Sequence, residues 1–205
     1  MDFIEYKTKL VKRLRESQRL FSNRGKKELE LWVVRNYLNT MGVPFSETEL
    51  YQPKKDPPDV VFHNAQFEIM ELYDEGRCRH DEYRRKLKKA EDAKDFSDVL
   101  ETVNWDLEPL SLPELTAIAE LRLKIRKENY SPAAMKRLDV LIYVNLQKIV
   151  LDEEDLVLPT IPVESFFRRC RSVSLIFNKP IAYVAHTSAD TPDFIRSAFG
   201  KIIWK

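Results

Sequence analysis

From residue 139 to 146 the chain reads Asp-Val-Leu-Ile-Tyr-Val-Asn-Leu, almost without a break in apolar character. A strand with one wet face alternates apolar and polar residues; a run like this one suits a strand covered on both faces. That demands a sheet with helices on each side, and the rest of the chain supplies them. Residues 1–21 read as a helix on Ile4, Leu10, Val11, Leu14 and Phe21. A second helix spans 26–41, with Leu31, Val34, Leu38 and Met41 as its apolar stripe and Gly42 as its stop.

Strands follow at 43–51, 59–62 and 66–73, the last two joined by a turn at His63-Asn64-Ala65. A highly charged helix covers 80–94 and continues toward Val103. Ser111 with Glu114 forms a capping box that opens a helix running to Glu128, and Ser131-Pro132 begins a short one. Strands at 173–177 and 181–186 flank Asn178-Lys179-Pro180 as a hairpin. The order predicts one α/β domain over 1–205, a mixed central sheet flanked by helices. The N-terminal helix covers 1–21; residues 165–205 form a C-terminal hairpin and tail.

Composition narrows the function. Charged residues make up 33% of the 205, yet the net charge is only +1, so any affinity for nucleic acid must come from a local patch. Cys78 and Cys170 form no metal-binding or disulfide pattern. The four glycines lie far apart, which rules out a P-loop and a dinucleotide fingerprint. No apolar run reaches the ~20 residues that cross a bilayer, and the amino terminus lacks the apolar core of a signal peptide. A cytoplasmic protein is expected.

The chemistry-bearing stretch is residues 57–70. Pro58-Asp59 opens one strand, and Glu68, nine positions after Asp59, sits in the next. A hairpin of this kind brings both carboxylates to one site, as an oxygen-ligand Mg²⁺ site requires. Alternation puts Glu68, Met70 and Leu72 on one face of their strand and Phe67, Ile69 and Glu71 on the other. A third acidic group is expected from the preceding helix, where Glu28 and Glu30 are both candidates. Arg77, Arg84 and Lys88 recur at spacings of seven and four, near one helical face, as a stripe for phosphates. A second cluster, Phe166-Phe167-Arg168-Arg169 with Arg171, combines aromatics and cations. His63, in the turn, is a candidate proton shuttle.

Pro58-Asp59, the Glu68-Ile69-Met70 tripeptide, the 26–41 helix and the 139–146 strand together resemble the PD-(D/E)XK, or restriction-endonuclease-like, superfamily. Residues 56–62, 67–69 and 74–77, followed by Asp81-Glu82-Tyr83, resemble more closely an uncharacterised bacterial family of proteins described as endonucleases. The resemblance implies a restriction-endonuclease-like core and a nuclease acting on DNA with Mg²⁺ or Mn²⁺. Asp59 and Glu68 would be its catalytic metal ligands with the backbone carbonyl of Ile69, and Glu28 or Glu30 would join them from the preceding helix. The superfamily's lysine position holds Met70, which carries no charge. Lys86, Lys88 and Lys89 are conceivable substitutes. The alternative is a catalytically inactive nuclease-fold module that binds nucleic acid, a protein partner or a second copy of itself.

Overall fold

A computed structural model of the chain describes residues 2–99, 108–146, 149–151, 157–178 and 180–205. The predicted continuation of the charged helix toward Val103 is broken at Ala93, where the backbone turns extended, and a separate short helix follows at Phe96–Val99; residues 100–103 lie outside the described residues. By contacts the chain divides into two compact units, residues 1–29 with 75–106 and residues 30–74 with 107–205.

The first unit is helical. Its long helices are α1 (Phe3–Leu20) and α3 (Arg79–Asp92), followed by the short α4 (Phe96–Val99). The first turn of α2 (Lys26–Thr40) also belongs to it. Asp2 caps α1 by accepting from the Glu5 N–H at 2.8 Å. Phe21 stacks on Tyr83 with ring centroids 5.1 Å apart. The Lys7 ammonium donates to the carbonyls of Glu91 and Ala93 at the end of α3, satisfying acceptors that a helix terminus leaves open.

The second unit holds the sheet. Its strands are β1 (Leu50–Tyr51), β2 (Val60–Phe62), β3 (Ala65–Tyr73), β4 (Glu108–Leu110), β5 (Asp139–Asn145), β6 (Ile149–Leu151), β7 (Ser172–Phe177), β8 (Ile181–Thr187) and β9 (Ile202–Trp204). Seven form one mixed sheet in the order β1-β2-β3-β5-β7-β8-β9, and β4 pairs with β6 separately. The β1-β2-β3 meander is antiparallel; β3, β5 and β7 run parallel. As its apolar run demanded, β5 is buried at every residue.

Helix α5 (Leu112–Lys127) covers one face, with Leu112, Leu115, Ala119 and Leu123 packed in a core with Met70, Leu72, Val140 and Ile142. The C-terminal part of α2 serves the other face: Tyr37 meets Phe67 edge-on and its hydroxyl lies 2.9 Å from Ser174 Oγ. Gly42, at φ +67°, ends α2 in the left-handed conformation, and the Val43 N–H reaches back to the Leu38 carbonyl at 2.9 Å. Short helices α6 (Pro132–Met135) and α7 (Asp193–Arg196) complete the unit. Among the described residues, no helix is long and apolar enough to cross a membrane.

The expected strand at 43–51 shrinks to Leu50–Tyr51. Its middle is a 3-10 turn, Glu47–Glu49, because the Glu49 carboxylate accepts from the Ser46 N–H at 2.6 Å and curls the chain locally. The aromatic–arginine cluster is structural: Phe166 and Phe167 are buried, and Arg168 donates to the carbonyls of Ile161 and Pro162.

Arg171 serves a different purpose. It grips the buried Asp139 at the head of β5, which also accepts from Ser172 Oγ at 2.7 Å and the Gln66 N–H at 2.9 Å. Removing one partner of such a pair leaves an uncompensated buried charge. Arg171→Ala is expected to destabilise the protein by about 3–5 kcal/mol, measured by urea unfolding, whereas Arg168→Ala should change it by less than about 1 kcal/mol.

Candidate functional site

In the β2/β3 pairing Val60 lies opposite Phe67. One step further along the ladder, Asp59 stands across from Glu68, and its N–H donates to the Phe67 carbonyl at 3.0 Å. Cross-strand neighbours share a face, so the two carboxylates meet as the sequence predicted. Asp59 Oδ2 is braced by the Ile69 N–H at 2.8 Å. The third acidic group is Asp56: one oxygen each from Asp56, Asp59 and Glu68 lie within 4.8 Å of one another.

The expected third carboxylates sit elsewhere. Glu28, in the first turn of α2, pairs with Arg19 at 2.6 Å. Glu30 is buried and accepts from Gln52 at 3.0 Å. The predicted turn histidine, His63, lies 3.0 Å from Glu49. Met70 is packed in the core against the α5 side, and Glu71, on the opposite face, accepts from Asn145 at 2.8 Å.

Glu68 is the most informative residue here. It is only 3% exposed. Its Oε1 takes the Lys127 ammonium and the Tyr130 hydroxyl, the latter at 3.1 Å, while Lys127 also donates to Tyr130 at 3.0 Å. Its Oε2 is buried with no hydrogen-bond partner among the described residues. A buried carboxylate oxygen left this way is costly, and a cation among the three carboxylates would satisfy it. Three hard oxygen donors suit Mg²⁺ or Mn²⁺ better than a soft metal.

Burial, and then the charge of Asp59, push the Glu68 carboxyl upward against the pull of Lys127 and Tyr130. Burial works against the Lys127 ammonium, but the hydrogen bond and charge of Glu68 outweigh it and hold its pKa above the usual range.

A lysine therefore does stand at the site: Lys127, against the Glu68 carboxylate. Lys86 is tied to Glu82 at 2.5 Å. Lys127 lies 59 residues from Glu68 in the chain, at the last position of α5. One sequence signal pointed to it. Leu112, Thr116, Ala119 and Leu123 form the buried stripe of α5, and Lys127 is the next position on that stripe. A charged residue on a core-facing stripe needs a buried partner.

The predicted phosphate stripe is largely self-neutralised. Arg77 pairs with Glu82 at 2.9 Å and Arg84 with Asp81 at 3.0 Å, while Lys88 stays exposed. All three belong to the first unit; Asp59 and Glu68 belong to the second.

Residues 3–205 match the family described as "Putative endonuclease, protein of unknown function". The chain belongs to that family. It is also similar to a solved structure from Pseudomonas aeruginosa strain PAO1, described as a protein of unknown function of the monooxygenase superfamily. That similarity has a TM-score of 0.68 at 25% identity and covers 100% of this chain and 97% of the other. No curated protein matches the chain.

The raised Glu68 carboxyl has a consequence for stability. A group whose folded pKa lies above its unfolded value favours folding at low pH, and this contribution is lost as pH rises through the folded pKa. With divalent metal chelated, Glu68→Gln should therefore gain stability relative to the wild type as pH rises from the ordinary carboxylate range toward neutrality. Urea unfolding across that range reads the difference; a Glu68→Gln protein that loses stability relative to the wild type as pH rises would contradict the shift.

Proposed function

We propose that this protein hydrolyses phosphodiesters of DNA with Mg²⁺ or Mn²⁺, on a restriction-endonuclease-like core. The reading is carried by the orphaned, buried Oε2 of Glu68 beside Asp56 and Asp59. The antiparallel meander, its parallel continuation into β5 and the family's description support it.

Asp59, Glu68 and Asp56 would hold the metal, with the Ile69 carbonyl as a further donor. The metal would supply positive charge against the phosphate and lower the pKa of a bound water. The residues around it have separate duties. The Ile69 N–H keeps Asp59 turned toward Glu68. Tyr130 and Lys127 hold Glu68 Oε1, which leaves Oε2 for the cation. Lys127 takes over from the lysine that Met70 replaces: its ammonium lies against the carboxylates and offers donors to a phosphate oxygen. In the hydrolysis itself, a water oxygen bonds to phosphorus as the bond to the leaving sugar oxygen breaks. The water's hydroxyl stays on phosphorus, and its other proton ends on the leaving oxygen.

A second reading has its own observation. Lys127 already gives Glu68 a compensating positive charge, so the ammonium would stand in for a metal in an inactive, binding-only descendant. The two part on metal affinity. On the hydrolytic reading, Mn²⁺ at about a hundred times its dissociation constant stabilises the fold by about 2.7 kcal/mol, seen as a rise in melting temperature. Asp59→Ala and Glu68→Ala abolish that rise. The same two variants abolish cleavage of plasmid, linear or single-stranded DNA in Mg²⁺ or Mn²⁺. A wild type that neither gains stability from Mn²⁺ nor cleaves any of these substrates would sink the hydrolytic reading.

Lys127→Met separates the lysine's duties. Cleavage should fall by about 10²–10³-fold, as when a donor to developing charge is removed, while the Mn²⁺-dependent rise in melting temperature persists. Retention of full activity would return the substitute-lysine role to another residue.

A further inference from the structure

The sequence points to α3 as the phosphate-binding helix; in the second unit, exposed positive charge gathers around the end of α5 and the entry to β5. Residues 122–137 carry six lysines and arginines against one carboxylate, Glu128. Among them, Lys124, Arg126, Lys136 and Arg137 are exposed, and none has a carboxylate partner among the described residues. On α3, by contrast, Asp81 and Glu82 engage Arg84, Arg77 and Lys86.

Lys127 and the β3/β5 register relate these four to Glu68 along the chain. Lys124 and Arg126 precede Lys127, whose ammonium touches Glu68; Lys124 is three residues back, about 4.5 Å along the axis. The Arg126 guanidinium lies 5.7 Å from the ring of Tyr73, five residues beyond Glu68 at the far end of β3. Lys136 and Arg137 immediately precede β5, whose Asp139 and Val140 lie opposite Phe67 and Glu68 in the parallel register. One cationic pair therefore lies on the last turn of α5, which carries Lys127 to Glu68, and the other lies in the turn that enters β5.

We propose that the end of α5 and the α6–β5 turn form a binding surface for the sugar-phosphate backbone of a nucleic acid, through Lys124, Arg126, Lys136 and Arg137. The choice of partner rests on the hydrolytic reading of the Glu68 site. Exposed Leu121 and Ile125 on α5 would equally suit an anionic lipid surface, so the experiment contains that arm.

The test measures binding without cleavage. Anisotropy of a labelled DNA duplex is followed in EDTA between about 50 and 200 mM salt. Two charge-reversed proteins are compared with the wild type, Lys124→Glu/Arg126→Glu and Lys136→Glu/Arg137→Glu. Each is expected to weaken binding about tenfold or more and to reduce the salt slope by about 0.9 for every phosphate that is no longer neutralised. Circular dichroism confirms that these exposed substitutions leave the fold intact. Arg84→Glu/Lys88→Glu provides the comparison on α3, and vesicles of phosphatidylserine in phosphatidylcholine provide the lipid arm.

The proposal is overturned if the wild type shows no salt-sensitive duplex binding, if the α3 variant loses more affinity than either pair, or if vesicles are bound in preference to DNA. Cleavage that fails while binding follows the expected pattern would count against the hydrolytic reading alone. Cleavage that succeeds with binding indifferent to both pairs would count against this surface alone.

Discussion

Asp139 is the fixed point of the sheet-bearing unit. Its carboxylate is buried at the head of β5 and is held by Arg171, Ser172 and the backbone of Gln66, so one side chain ties β3, β5 and β7 together. Apolar packing alone tolerates a slipped strand if the faces still match, because hydrophobic contact has no direction. A buried, hydrogen-bonded charge does not, since a slip would strand it without partners. Register therefore follows from Asp139: it faces Phe67, and Glu68 is then set beside Val140. The Arg171 guanidinium also reaches the Asn64 carbonyl, at 3.0 Å, in the turn that joins β2 to β3. The hairpin that places Asp59 across from Glu68 is anchored by the same group.

The Glu68 site shows the opposite economy. Asp139 has donors for both oxygens, whereas Glu68 has donors for one and keeps the other bare. Two buried carboxylates in one unit thus behave differently. Satisfied on both oxygens, Asp139 stabilises; burial, and then the like charge of Asp59, keep the Glu68 pKa raised. An arrangement that costs stability without a ligand is the pattern expected where binding outweighs it.

The hairpin carboxylates were legible in the sequence because they depend on local rules: Pro-Asp at a strand entry, a short turn and the two-residue period of a strand. Asp56 was not, since its approach to Glu68 depends on the path of a Pro-rich segment that no periodicity encodes. Nor was Lys127, although its place on the buried stripe of α5 was readable. What could not be read was the residue it would meet, because α5 and β3 come together only when the crossover to β5 closes. The basic residues of α3 misled for a related reason. Their spacing along one face is real, but Asp81 and Glu82 share that helix and pair with Arg84, Arg77 and Lys86, leaving Lys88 exposed.

By itself the sequence determined the class of fold. A strand without polar interruption requires cover on both faces, and the helical stripes, capping box and glycine stop around it left little else to build. It also determined that two carboxylates would share a face. Tertiary structure decided the third acid, the lysine and the free positive surface, because each depends on distances between segments far apart in the chain. Such distances are set by register and packing rather than by any local preference, so they appear only once β3, β5 and α5 are brought together.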